Sequence, residues 1–250
     1  MIPIKNTEQL KLMRQACRIT GEALLVAEEA IRPGLSTKAL DEIIRAYIEK
    51  CNARPTFLGY GGFPAAACIS VNDEVIHGIP SADRLLKEGD IVKVDVGAFC
   101  RGFTGDAART FAVGAISPEA AALVEATKES FYRGAAAALV GNRIGDIGSA
   151  VEAHVKGLGY SVVRKFVGHG VGAELHEEPE VPNFGTPGRG ARLFAGMTLA
   201  IEPMVNAGGA DVRILPNRWT VVTVDGSLSA HYENTVAITE NGPEFMTDIK

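Results

Sequence analysis

Helix, helix and then strands is an order of elements that this 250-residue sequence spells twice, and the repetition restricts it to folds made of two similar halves. In the first half Asn6 is a ready N-cap, and Leu10, Met13, Cys17, Leu24 and Ala27 then recur at helical spacing until Arg32-Pro33-Gly34 ends the pattern. Ser36 caps a second helix with Leu40, Ile43, Ile44, Tyr47 and Ile48 on its apolar face, ending near Cys51-Asn52. The Gly- and Pro-punctuated stretch LGYGGFPAA leads into strand-like runs at 69–71, 91–98 and 110–113. In the second half Ser117-Pro118-Glu119 opens a helix predicted to reach about residue 140, and a further helix is predicted over 146–158. Strand-like runs follow at 162–167, 199–202, 220–224 and 235–239. A shift of 107 residues sets Gly34 on Gly141, Leu40 on Ile147, Ile44 on Val151 and Ile48 on Val155. The expected fold is therefore α+β, one domain over 1–250 built of two pseudo-symmetric halves, roughly 6–115 and 116–240. Their sheets would pair about a pseudo-two-fold axis and leave a cleft between them.

Composition removes several classes of function. The apolar share of 46% is enough for a sizeable core. The net charge of −5 comes from charges mixed along the chain, with no Lys/Arg run to track a nucleic acid or an anionic membrane. The start, MIPIKNTEQLKLMRQ, has no apolar signal-peptide core, and no stretch of about 18 apolar residues runs without a charge. A cytoplasmic protein is expected. Cys17, Cys51, Cys68 and Cys100 show no C-x-x-C spacing, so they read as reduced thiols.

Against this background a few polar residues stand in costly places. The segment IVKVDVGAFCRGFTGDAART puts Asp95 and Asp106 among apolar neighbours. Acids that share a buried site either protonate or bind a cation. The alternative is that one caps a turn and the other pairs with Arg101 or Arg109. VGHGVGAELHEEP places His169 between glycines that let a ligand approach the backbone, with His176 seven residues on. Either histidine, taken alone, is more often structural than a ligand. TLAIEPM sets Glu202 directly after an apolar run, where a buried salt bridge is the competing reading. HYENTVAIT heads a strand with Glu233, and VIHGIP puts His77 in a turn. Four acids and a histidine in such settings suit Mn, Fe, Co or Zn better than Ca or Mg. Four carboxylates would overload one divalent ion with negative charge, whereas two ions sharing bridging carboxylates balance them, and such pairs activate water in aminopeptidases and phosphatases alike.

The motifs VIHGIP, KVDVGA, GFTGDAARTF, GHGVGAELHEEP, AIEPM and HYENTVAI occur in this order, and together the chain resembles the type I methionine aminopeptidases of the M24 metallopeptidases from about residue 6 to about residue 239. The resemblance implies the duplicated pita-bread fold around a dinuclear centre. It implies Asp95, Asp106, His169, Glu202 and Glu233 as ligands of two divalent ions (Co, Mn, Fe or Zn), with Asp106 and Glu233 bridging and Glu202 also taking a proton from the attacking water. His77 and His176 match family histidines that contact the scissile peptide without binding metal. Phe57, Tyr60, Phe63, Cys68 and Trp219 match the methionine pocket, and ordinary core packing is the alternative for each. Phe57 stands where some members have cysteine, and Leu175 where some have phenylalanine. The implied substrate is the N-terminal methionine of nascent polypeptides whose second residue is small, which implies work near the ribosome. The family also favours a monomer and, since the resemblance begins at about residue 6 without the zinc-binding extension of the eukaryotic type I enzymes, the compact bacterial type.

Two other functions compete. Prolidases and proline aminopeptidases share the metal framework, although they usually carry a further N-terminal domain. A non-catalytic binding module would have lost members of the ligand set, and all five are present here.

Overall fold

The computed structural model describes residues 1–249. Its helices are α1 (Thr7–Ala30), α2 (Thr37–Lys50), α3 (Pro118–Ala136) and α4 (Ile144–Gly157). Three begin as the sequence dictates: the Asn6, Ser36 and Ser117 side chains accept from the backbone N–H groups of Gln9, Ala39 and Ala120. In α1 the Gln9 side chain also accepts from the Asn6 N–H, completing a capping box.

Two helix boundaries differ from expectation. α3 stops at Ala136 rather than near residue 140, because the Asn142 amide donates to the Ala137 carbonyl and Gly141 adopts a φ of +93°. α4 begins at Ile144, before the expected 146, because Asp146 is not its first residue. Its carboxylate reaches back to accept from the Arg143 N–H at 2.7 Å.

The strands, all antiparallel, form two larger sheets and two small ones. In the first larger sheet the strand Ile91–Cys100 pairs with Phe103–Ala112 on one side and with Ala67–Val71 and the short Arg54–Pro55 on the other. Arg101 and Gly102 make the hairpin turn, both at positive φ as a two-residue turn of this twist requires. The partner strand therefore begins at Phe103 rather than 110. The second larger sheet has the order Gly242–Phe245, Asn234–Thr239, Thr198–Ile201, Gly168–Gly170, Glu177–Val181. The strand-like run at 162–167 is shorter than expected. Ser161–Val162 pairs with Met204–Asn206, and the chain then bends where Arg164 turns out to Glu152.

α1 and α2 cover the first sheet through Ile19, Ala23, Ile44 and Ile48 against Ile69, Val92, Val94 and Val96. α3 and α4 pack through Phe131, Ala135 and Ile147 against Leu199, Ile201 and Val236 of the second. An isolated bridge Ser36–Leu85 precedes α2, and another, Arg143–Arg192, precedes α4. The second lies 107 residues after the first at both ends (36 to 143, 85 to 192). Among the described residues no helix is long and apolar enough to cross a membrane. The cysteines are free thiols.

Candidate metal centre

The site forms where the strand Phe103–Ala112 of the first larger sheet meets the chain at 233–235 of the second. Asp106 N–H donates to the Thr235 hydroxyl at 3.0 Å, and that hydroxyl donates back to the Asp106 carbonyl at 2.8 Å. One turn of pleat away, Glu233 N–H donates to the Ala108 carbonyl at 2.9 Å. These bonds fix the strand that carries Asp106 against the one headed by Glu233. Arg109 tightens the junction, donating to the Glu233 carbonyl and, at 2.7 Å, to Asn234 Oδ1. It thus binds backbone and amide rather than pairing with Asp95 or Asp106, and Arg101 is exposed in its turn. The ion-pair alternative for these two acids is not what the chain adopts.

Register places the remaining acids. Asp95 lies opposite Ala108 across one strand pair and opposite Cys68 across the other, while Asp106 lies opposite Gly97. Because side chains alternate with a period of two, Asp95 and Asp106 share one face of the sheet with Cys68. On the second sheet His169 lies opposite Ala200, and Glu202 follows two residues later at the strand's end.

The donor atoms converge. His169 Nε2 is 3.7 Å from Asp106 Oδ2 and 3.5 Å from Glu202 Oε1, and ligand atoms of Asp106, His169 and Glu233 lie within 4.8 Å of one another. His169 Nδ1 sits 2.9 Å from the Gly170 carbonyl, which can only accept, so the proton is on Nδ1 and the Nε2 lone pair faces the acids. Burial and the neighbouring His176 lower the His169 pKa to about 4, which keeps the ring neutral at pH 7.

The carboxylates are unsatisfied by protein. Asp95 Oδ1, Asp106 Oδ1 and Glu233 Oε1 are buried without a hydrogen-bond partner. Burial, with mutual repulsion, holds Asp95, Glu202 and Glu233 well above the usual carboxylate range, and burial pushes Asp106 up to about 7. Acids so placed need a positive partner, and no cationic side chain fills the space among the described residues within ion-pair distance of them. Oxygen donors with one imidazole fit divalent transition metals.

The pocket beside these donors is lined by Phe57, Tyr60, Phe63, Cys68, His77, Leu175, His176 and Trp219 along with the four acids and the His169 imidazole. Every residue singled out in the sequence is thus brought to one place. Phe63 and Trp219 meet edge to face at 5.1 Å, and the His77 ring stands edge-on between Phe166 and Trp219. His77 itself adopts a φ of +57°, and burial together with His176 lowers its pKa to about 4. His176 stands at the mouth, its Nδ1 2.7 Å from the Tyr60 hydroxyl.

Sequence reading missed His231. Its imidazole is fully buried, with Nε2 3.7 Å from Glu202 Oε2 and 4.0 Å from Glu233 Oε2, and neither ring nitrogen has a hydrogen-bond partner. The available signal was its spacing of two from Glu233, which keeps both residues on one side of an extended chain.

Residues 11–240 match the model of metallopeptidase family M24. A methionine aminopeptidase of Clostridium acetobutylicum is 58% identical over 247 residues, covering 99% of each chain. Methionine aminopeptidase 1 of Bacillus subtilis is 48% identical over 249 residues, the full length of both. The crystal structure of methionine aminopeptidase from Thermotoga maritima superposes with a TM-score of 0.98 at 44% identity over 100% of both chains. The prolidase from Pyrococcus furiosus gives 0.80 at 25% identity, and the chain covers 66% of it.

Proposed function

The chain belongs to metallopeptidase family M24, and from that premise we propose how its pita-bread fold performs the metal-dependent removal of N-terminal methionine from polypeptides. The observation that carries the reading is the set of buried, unpartnered carboxylate oxygens beside His169 Nε2 at the floor of an aromatic pocket.

Asp95, Asp106, His169, Glu202 and Glu233 would hold two divalent ions, with Asp106 and Glu233 shared, Asp95 completing one shell, and His169 and Glu202 the other. Mn, Fe, Co and Zn all suit these donors, and availability selects among them. When bound, the ions supply Lewis acidity toward a peptide carbonyl and acidify water. The Glu202 carboxylate accepts the proton shed by the attacking water and passes it toward the leaving amine. His77 and His176 face the scissile peptide and donate to the carbonyl oxygen as charge develops there. Phe57, Tyr60, Phe63, Cys68 and Trp219 surround the methionine thioether, a soft group that favours aromatic edges. A peptide so bound puts its second residue against the site wall, which favours a small side chain there.

The same reading takes the chain as one catalytic unit with duplicated halves, supported by the paired bridges before α2 and α4. It also makes the protein a cytoplasmic monomer acting on nascent chains near the ribosome. The test is cleavage of Met-Ala and Met-Ile peptides beside an Xaa-Pro dipeptide, with and without a chelator. Release of methionine from Met-Ala, abolished by chelation and restored by added divalent metal, is expected. Preferential cleavage of Xaa-Pro would favour the prolidase reading.

A further inference from the structure

The segment Gly168–Glu177 carries both site histidines of the second sheet, and Gly172 fixes the start of its turn, donating to the Glu174 carbonyl and accepting from the Thr104 N–H at 2.7 Å. Between Gly172 and Glu177 the chain leaves the sheet to place Leu175 and His176 on the pocket. Glycines at 168, 170 and 172 leave this stretch little intrinsic stiffness.

Lys5 reaches it from the other end of the chain. Its ammonium donates to Glu177 Oε2 at 2.5 Å, and the two side chains are 4% and 8% exposed. The other carboxylate oxygen, Oε1, accepts from the Glu174 N–H. The lysine stem lies directly on Gly172, where an added Cβ would come within 2.5 Å of Lys5 Cε and 2.6 Å of Glu177 Oε1. The ion pair therefore occupies the concave side of the turn and touches both its ends. Lys5 is itself anchored, because its N–H donates to the Gly196 carbonyl at 2.7 Å and the α1 capping box begins at the next residue.

A buried ion pair is a weak source of net stability, since desolvation offsets most of the attraction, but it admits few geometries. Here the geometry it selects is that of the residue next to His176. We propose that Lys5 is a positioning residue for His176, acting through Glu177 to hold the 172–177 turn in the shape the pocket needs. The inference rests on the role given to His176 above.

The test compares Lys5→Met, Lys5→Arg and Glu177→Gln in the full, metal-loaded chain. Lys5→Met is expected to lower kcat on a Met-Ala peptide by about ten- to a hundredfold, the range for losing a group that orients a site residue, with metal content and KM little changed. Lys5→Arg should recover most of the rate. The Lys5→Met, Glu177→Gln double variant should be no slower than either single one, because the two act as a unit. Independently of activity, amide hydrogen exchange of residues 172–177 should quicken in Lys5→Met while that of α1 does not. A lower melting temperature with unchanged kcat and unchanged exchange in the turn would overturn the proposal and leave the pair purely structural. Should Lys5→Met fail to fold, Glu177→Gln gives the same readouts. Absence of methionine release by the parent protein would instead count against the proposed activity, and the exchange measurement would still decide the role of Lys5.

Discussion

The His169 and His176 rings lie 4.2 Å apart, centroid to centroid, yet only the first of them directs a nitrogen lone pair at buried carboxylates. His176 gives its Nδ1 to the Tyr60 hydroxyl at the pocket mouth. The two should separate cleanly on mutation. His169→Ala is expected to weaken one metal site far more than the other, because Asp95, Asp106 and Glu233 remain. His176→Ala should keep its metal and lose kcat by a factor on the order of 10²–10³, as for removal of one donor to a developing oxyanion. Metal titration and elemental analysis of both variants check this, and a metal-depleted His176→Ala would make that histidine a ligand.

Trp219 closes the pocket from the loop after Val212–Ile214, packing against Phe63 in a T-shaped pair. A wall that contacts methionine equally before and during reaction contributes uniform binding. Trp219→Ala should therefore raise KM for methionine peptides by roughly tenfold, the loss of part of an apolar contact, with kcat nearly unchanged. A fall in kcat at constant KM would place the ring in the chemistry instead.

The backbone of α1 at Cys17 packs directly on the Asp106 strand at Gly105. A Cβ there would meet Cys17 Cα at 2.5 Å and Cys17 N at 2.6 Å, both backbone atoms that cannot rotate aside. Gly105→Ala should cost about 1–3 kcal/mol from overpacking, which for a chain of this size lowers Tm by several degrees. Thermal unfolding of the metal-loaded variant measures it, and an unchanged Tm would mean that α1 shifts freely.

Local signals made the helices legible, since Asn6, Ser36 and Ser117 cap them and the apolar spacing continues from each. The site was legible for a different reason: Asp95, Asp106, Glu202 and Glu233 are carboxylates in apolar runs, and such placements are costly without a cation. What was not legible depends on contacts between distant parts of the chain. Nothing local marks Thr235 as the residue that ties down Asp106, 129 positions away, or Lys5 as the partner of Glu177. The short strands Gly168–Gly170 and Glu177–Val181 were missed because glycine, proline and charge obscure the period of two, and Ser229–His231 because three residues are too few to show it. His231 went unread with the last of them.

Removing the metal should convert the site into a pH-dependent liability. In the metal-free fold, burial holds the carboxyl of Asp106 at about 7, and burial with mutual repulsion holds Asp95, Glu202 and Glu233 well above the usual range. In the unfolded chain these acids titrate near pH 4. A carboxyl whose folded pKa is raised binds its proton more tightly when folded. Its contribution to stability is thus fully present below pH 4 and is lost as pH rises through the folded value. For Asp106 the window is about pH 4 to 7, and each group loses up to about 1.4 kcal/mol per pH unit within it. Bound cations reverse the preference by favouring the ionised form. The Tm of the chelated protein should fall between pH 5.5 and 7.5 while that of the metal-loaded protein does not, so the gap between them widens with pH. Calorimetry of both forms across that range is the measurement, and a gap independent of pH would mean that these carboxylates are not the groups the cations neutralise.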